Sequence, residues 1–253
     1  MPRSSREVCN NYRQLQISGL SGADLKRIAM FCMLIDHIGC ALLEPLIMHQ
    51  NSDALFYLNW LCRGIGRIAF PIYSFLLAEG YRHTGNKRTY ILRLAIFGFT
   101  SEIPYDLAFT GRSVDWEYQN VIFTLFLGLF TLVLMGKIRT YFGRYSALKP
   151  VLLTVICIAA STLAEFIQCD YGAAGVLIIV SMDLLRNTKS LRNLTCEVLL
   201  LSLHPMELTA CLSFPLLNCY NENRGSQSKQ RMYMFYPGHL ILLCAIRFII
   251  MRS

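Results

Sequence analysis

Apolar segments of membrane-spanning length follow one another along almost the whole chain, with short basic stretches between them. We read eight or nine: Leu25 to Leu43, Leu55 to Ala78, Tyr90 to Phe109, Val121 to Met135, Val151 to Ile167, Gly172 to Leu185, a region from Leu194 to Leu217, and Tyr236 to Met251. A helix rises about 1.5 Å per residue and needs about 20 apolar residues to cross a bilayer. The pattern therefore predicts an all-α, polytopic integral membrane helical bundle with about eight to nine transmembrane segments. Residues 21–253 form a single domain behind a polar tail, residues 1–20, carrying Arg3, Arg6 and Arg13. Composition agrees, since 54% of the 253 residues are hydrophobic and only 16% charged, where a soluble domain has about 25% charged. No short apolar core with a small-residue cleavage site follows the N-terminus at once, so the first span is expected to stay in the mature protein.

Proline marks the segment boundaries. Pro45 is expected to end the first span and Pro71 to kink the second. His204-Pro205 interrupts the seventh region, which fits one kinked span, two short helices or a re-entrant hairpin.

The net charge of +8 is explained by loop asymmetry rather than by nucleic acid, for which there is no aromatic–basic motif. The tail, Arg82/Lys87/Arg88, Lys137/Arg139/Arg144/Lys149 and Arg186/Lys189/Arg192 alternate with poorly basic loops. The basic set belongs in the cytoplasm, with the N-terminus. Arg224, Lys229 and Arg231 favour the same side, which requires the 194–217 region to return to the side it left. The ten cysteines are scattered without C-x-x-C spacing and read as packing residues in a reduced setting.

Against this apolar background a few ionisable residues stand out. Asp36 and His37 sit side by side, with Asp36 roughly 16 Å beyond Leu25 and so near the midplane. Charges at that depth are costly and serve a site or a buried ion pair. Adjacent helix residues point about 100° apart, so one of the two is expected to face a cavity while the other binds an arginine. His37 is the better proton acceptor. Arg63 and Arg67, four apart and interleaved with Gly64 and Gly66, share a helix face, and Asp36 is their natural acceptor. Glu102 and Asp106 are also four apart, around Pro104. They form either a proton-handling carboxylate pair or counter-ions for Arg63, Arg67 or Arg93. Glu79, Asp170 and His239 lie at helix ends. The histidines follow no helical ligand spacing, so no metal is expected.

Several blocks together resemble the TraX family: Leu34-Ile35-Asp36-His37-Ile38-Gly39, Arg63-Gly64-Ile65-Gly66-Arg67-Ile68-Ala69-Phe70-Pro71-Ile72, Glu79-Gly80-Tyr81 with His83-Thr84, and Arg93-Leu94 with Ser101-Glu102-Ile103-Pro104-Tyr105-Asp106. Asn120-Val121 with Phe123-Thr124-Leu125, Asp170-Tyr171-Gly172 with Gly175, and Phe235-Tyr236-Pro237-Gly238-His239-Leu240 complete the set, in family order from about Leu25 to Leu243. The segment Asn221 to Gly225 departs from it, being longer than the turn expected there. The resemblance implies a multipass protein of the bacterial inner membrane, similar to an acetyltransferase that acetylates the N-terminal amine of a conjugative pilin. It implies acetyl-CoA as acyl donor and an amine acceptor, a protein N-terminus or a small molecule, presented at the bilayer. On that reading His37 is the base, Asp36, Glu102 and Asp106 orient or relay, and Arg63 or Arg67 stabilises negative charge. Arg82, Lys87, Arg88 and His239 would meet the coenzyme. Two other readings stand beside it: an ion-coupled transporter, and a non-enzymatic membrane assembly factor.

Overall fold

The computed structural model describes residues 19–50, 52–142, 146–226 and 229–251. The arginines of the N-terminal tail, Arg144, and the side chains of Lys229 and Arg231 lie outside the described residues. Within them the chain is helical, with two isolated bridges and no strand.

Helix α1, Gly22–Ile38, starts where Ser21 and Asp24 form a reciprocal capping box that satisfies two orphan amides. Pro45 does not end this segment. Its ring would meet the carbonyl four residues back, and the backbone avoids this by widening into a π turn at Gly39–Leu43, where Glu44 N–H reaches Gly39 O. The helix then continues as α2, Glu44–Gln50. The second segment is broken rather than kinked. Helix α3, Asp53–Gly66, and α4, Ala69–His83, are separated at Arg67-Ile68. Pro71 falls in the first turn of α4, where its missing N–H has no partner to lose.

The remaining elements are α5 (Lys87–Phe109), α6 (Val121–Tyr141), α7 (Leu148–Phe166), α8 (Gly172–Leu184), α9 (Lys189–Leu201), a 3-10 helix (Pro205–Leu212), α10 (Ser213–Asn218) and α11 (Lys229–Ile250). Long-range bonds sort their ends into two levels. At one end Arg82 meets Asp183 at 3.0 Å, Arg139 meets the same carboxylate at 3.4 Å, and Gly22 N–H donates to Asn223 O. At the other, Gln119 and Gln168 pair through their backbones, and Arg247 Nη1 donates to Ala108 O at 2.7 Å. The described residues thus make seven passes between the two levels.

The seventh apolar region is not a pass. The start of α9 lies against the end of α10, with Lys189 Nζ donating to Asn218 O and Arg192 to Asn218 Oδ1. The tip reaches inward, where Thr209 Oγ1 donates to Gly64 O at 2.8 Å. Of the three forms expected for this region, the structure takes the hairpin, and it returns to the level it left. Four stretches are long and apolar enough to cross a membrane: Gly22–Gln50, Asp53–His83, Val121–Tyr141 and Leu148–Phe166. Gly172–Leu184 and Met234–Ile250 are apolar but shorter.

The core lies on α6 and α8, where Leu129, Leu132, Val176, Ile178 and Ile179 are fully buried and Gly128 makes room for the Ile179 side chain. Helix α7 covers them with one edge and leaves Val151, Val155, Ile158 and Phe166 outward. Helix α6 starts on Asn120, whose Oδ1 accepts from Ile122 N–H at 2.9 Å while its amide donates to Gly98 O at 3.0 Å and to Glu102. Loss of a cap and of buried bonds predicts that Asn120→Ala destabilises the fold by about 2 kcal/mol. Thermal unfolding in detergent, wild type against variant, measures this, and an unchanged melting temperature would contradict it.

Candidate functional site

Two polar groups meet in the last turn of α1, at mid-height of the Gly22–Gln50 segment. The first is a charge network around Asp36. Arg63 Nη1 donates to Asp36 Oδ2 at 2.9 Å and Arg67 Nη2 to Oδ1 at 3.4 Å. Arg67 Nη1 also reaches Glu207, at the hairpin tip, at 2.9 Å, and Arg63 Nε lies 3.6 Å from Glu44. Helix α1 can come this close because Gly66 has no side chain: a Cβ there would overlap the Asp36 carboxylate. The network therefore ties α1, the α3–α4 break and the hairpin together, with both arginines paired to carboxylates. Asp170, in the turn before α8, has its carboxyl pushed up to about 6 by burial, against the opposing pull of Arg67.

The second group is a pair of histidines. His37 Nδ1 lies 2.7 Å from His239 Nε2. The ring planes are 12° from parallel with centroids 4.9 Å apart. That is the geometry of two imidazoles joined edge to edge in one plane, because the centroid distance is about the N–N distance plus two ring radii. His239 Nδ1 faces Phe235 O at 2.7 Å, an oxygen that only accepts. Protons are assigned here from the bonding network. His239 must donate at Nδ1, so its neutral ring offers Nε2 as acceptor, and His37 must donate at Nδ1. The neutral pair therefore leaves the lone pair of His37 on Nε2. Asp36 takes no part, as its carboxylate is turned to the arginines.

A cavity of about 660 Å³ approaches this pair from the level of the Gly22 and Arg82 ends. Lys26, Arg93 and Arg224, with Glu79 and Glu222, line its outer part, Met33, Tyr73 and Phe97 its shaft, and Phe235 and Tyr236 its inner part, with the two histidines behind Tyr236 rather than on the cavity wall. Tyr236 lies edge-on to both histidines, with centroids 6.0 Å from His37 and 5.6 Å from His239.

The other expected site residues fall elsewhere. Glu102 binds the Asn120 backbone and amide, and Asp106 accepts from Asp115 N–H at 2.9 Å. Both organise the loop before α6, and neither pairs with Arg63, Arg67 or Arg93, which corrects the counter-ion expectation. Arg82 is held by Glu79 and Asp183. Lys87 sits over the Tyr81 ring, and it lines with Arg88 a separate groove between α5 and α6. None of these three lines the cavity that ends on Tyr236. His239, grouped with them on the sequence, is instead the partner of His37.

Tyr236, Lys26 and Arg224 were missed. Lys26 had a signal: it is about three helical turns before His37, hence on one face. Arg224 lies in the segment noted as longer than expected, and that segment is pinned to the start of α1 by the Gly22–Asn223 bond. Among the described residues no group of three or more His, Cys, Asp or Glu converges to hold a metal ion.

The model of the TraX family, described as TraX protein, matches residues 21–247. A curated relative from Dichelobacter nodosus, named "Probable fimbrial assembly protein FimC, serogroup H1", is 26% identical over 253 residues, covering 90% of this chain and 96% of its own. No solved structure matches the chain.

Proposed function

The chain belongs to the TraX family, and from that premise we propose that it is a membrane acyltransferase that moves an acetyl group from acetyl-CoA to an amine. The observation that carries this reading is the cavity with Lys26, Arg93 and Arg224 beside Glu79 and Glu222 in its outer part and an aromatic shaft that ends on Tyr236, which packs edge-on to a histidine pair with a lone pair left on His37 Nε2. Acetyl-CoA has that shape: phosphates at one end, a long thin arm, and a thioester at its tip. Lys26, Arg93 and Arg224 suit the phosphates through charge-assisted hydrogen bonds. The cavity mouth then faces the cytoplasm, where the coenzyme is, in the inner membrane of a bacterium. This agrees with the basic loops at the same level. The bundle crosses seven times, with the hairpin re-entrant from the cytoplasmic side.

In the proposed reaction the amine nitrogen attacks the thioester carbonyl. His37 Nε2 takes the amine proton, while His239 holds the resulting imidazolium through the Nδ1 bond. The tetrahedral intermediate collapses, the C–S bond breaks, and the proton passes from His37 to the thiolate. The products are an N-acetylated amine and free coenzyme A. Burial of the thioester among Phe97, Phe235 and Tyr236 keeps water from competing. The relative's name suggests a fimbrial subunit, presented at the bilayer, as the class of acceptor. It equally fits a non-enzymatic assembly factor, for which the histidines would matter to partner binding and not to turnover.

The test is release of free thiol from acetyl-CoA by purified protein in detergent, with peptide amines as acceptors. Amine-dependent release supports the enzyme; its absence with every acceptor, while fimbrial assembly still needs the protein, favours the assembly factor. Arg93→Gln combined with Arg224→Gln is expected to raise KM for acetyl-CoA at least tenfold with kcat little changed. A lost charge-assisted hydrogen bond is worth about 1.5–3 kcal/mol, and about 1.4 kcal/mol is tenfold. An unchanged KM would remove these residues from the donor site.

A further inference from the structure

Acyl transfer places negative charge on the former carbonyl oxygen, and something must donate to it. The two arginines near His37 are committed: Arg63 to Asp36 and Glu44, Arg67 to Asp36 and Glu207. Several buried polar atoms lack a partner among the described residues, and of the residues that carry them Tyr236 is the one that lines the cavity. It is only 5% exposed, and its hydroxyl has no hydrogen-bond partner among the described residues. Leaving a buried hydroxyl unsatisfied costs about 1–3 kcal/mol, and such groups are rare in folded proteins. A phenylalanine would fill the same volume without that cost. The ring is held in place by Phe97 on one side, at 6.2 Å, and by the two histidines on the other. It also lines the cavity, with its edge against the His37 ring that stands behind it.

We infer that the Tyr236 hydroxyl is the oxyanion donor, giving a hydrogen bond to the tetrahedral oxygen opposite His37 Nε2. The hydroxyl keeps its proton throughout and forms no covalent bond. The orphaned group is satisfied only when the reacting carbonyl is present, so its stabilisation goes to the transition state rather than to the resting protein. The inference rests on the acyl-transfer reading above and adds a residue to it.

The closing experiment compares wild type and Tyr236→Phe in the full-length, detergent-purified protein. Removing one oxyanion donor is expected to lower kcat by about 10²-fold or more. Coenzyme A should bind both proteins equally in calorimetry. The melting temperature should be unchanged or raised, because the variant deletes an unsatisfied polar group and nothing else. A residue with a structural role would show the opposite, a lower melting temperature, and that result overturns the inference. So does equal turnover by variant and wild type, which leaves the acyltransferase reading standing. Wild-type protein that releases no thiol with any acceptor overturns both together.

Discussion

Replacing His37 with alanine is expected to abolish amine-dependent thiol release, with the protein still inserted and folded. A positioned general base contributes about 10²–10⁴-fold, so the residual rate should sit near the background of hydrolysis. The fold should tolerate the change because His37 carries no ion pair; the charges of α1 are balanced through Asp36. The partner ring supplies a control. His239→Gln can still present an acceptor oxygen where His239 has Nε2, so His37 keeps its proton on Nδ1 and its lone pair on Nε2. His239→Ala removes the acceptor and frees His37 to change tautomer. Turnover is therefore expected to rank wild type, then His239→Gln, then His239→Ala, with His37→Ala at background. Retained activity in His37→Ala would remove the base assignment and, with it, the meaning given to the pair.

The second large effect is on stability. Arg67 shares its guanidinium between Asp36 and Glu207, and Glu207 is 4% exposed. Exposed ion pairs contribute about 0–1 kcal/mol, but removing one partner of a buried pair costs about 3–5 kcal/mol, because a charge is left without compensation. Arg67→Ala is expected to lie in the second class, and the hairpin to lose its charged anchor at the tip, leaving there the Thr209–Gly64 hydrogen bond. Arg67→Met combined with Glu207→Gln removes both a cation and an anion and should be much less damaging than Arg67→Ala. Melting temperature and yield from the membrane fraction report both. An Arg67→Ala protein as stable as wild type would mean that the Asp36–Arg67–Glu207 network does not hold the α3–α4 break and the hairpin together.

Gly66 belongs to the same argument. Between Arg63 and Arg67 it reads on the sequence as a place where helices approach closely, and the structure shows what approaches: the Asp36 carboxylate itself. The Asp36–Arg63–Arg67 association was legible because depth and helical spacing are local properties. A charge near the centre of an apolar segment needs a partner, and few were on offer. Glu207 was not legible as the third member. It lies beyond a proline-broken region, and only closure of the hairpin brings it to Arg67.

The same division runs through the cavity. Basic residues at helix ends are abundant here, and their sequence positions alone do not rank them. Arg82, Lys87 and Arg88 stood in one of the basic runs, yet Arg82 is spent on Glu79 and Asp183, and the other two line a different groove. Lys26, Arg93 and Arg224 come from three separate parts of the chain, and only packing collects them.

What the amino-acid sequence determined by itself was everything carried by local periodicity: helices and their apolar faces, the depth of Asp36 and His37, and the family. The Pro45 π turn shows the limit even there, since the helix survived its proline by adding a residue to one turn. Tertiary structure alone decided which distant groups meet. His37 and His239 are 202 residues apart, and no spacing rule links them. Their contact depends on α11 packing beside α1, and that choice is made by burial of apolar surface over the whole bundle.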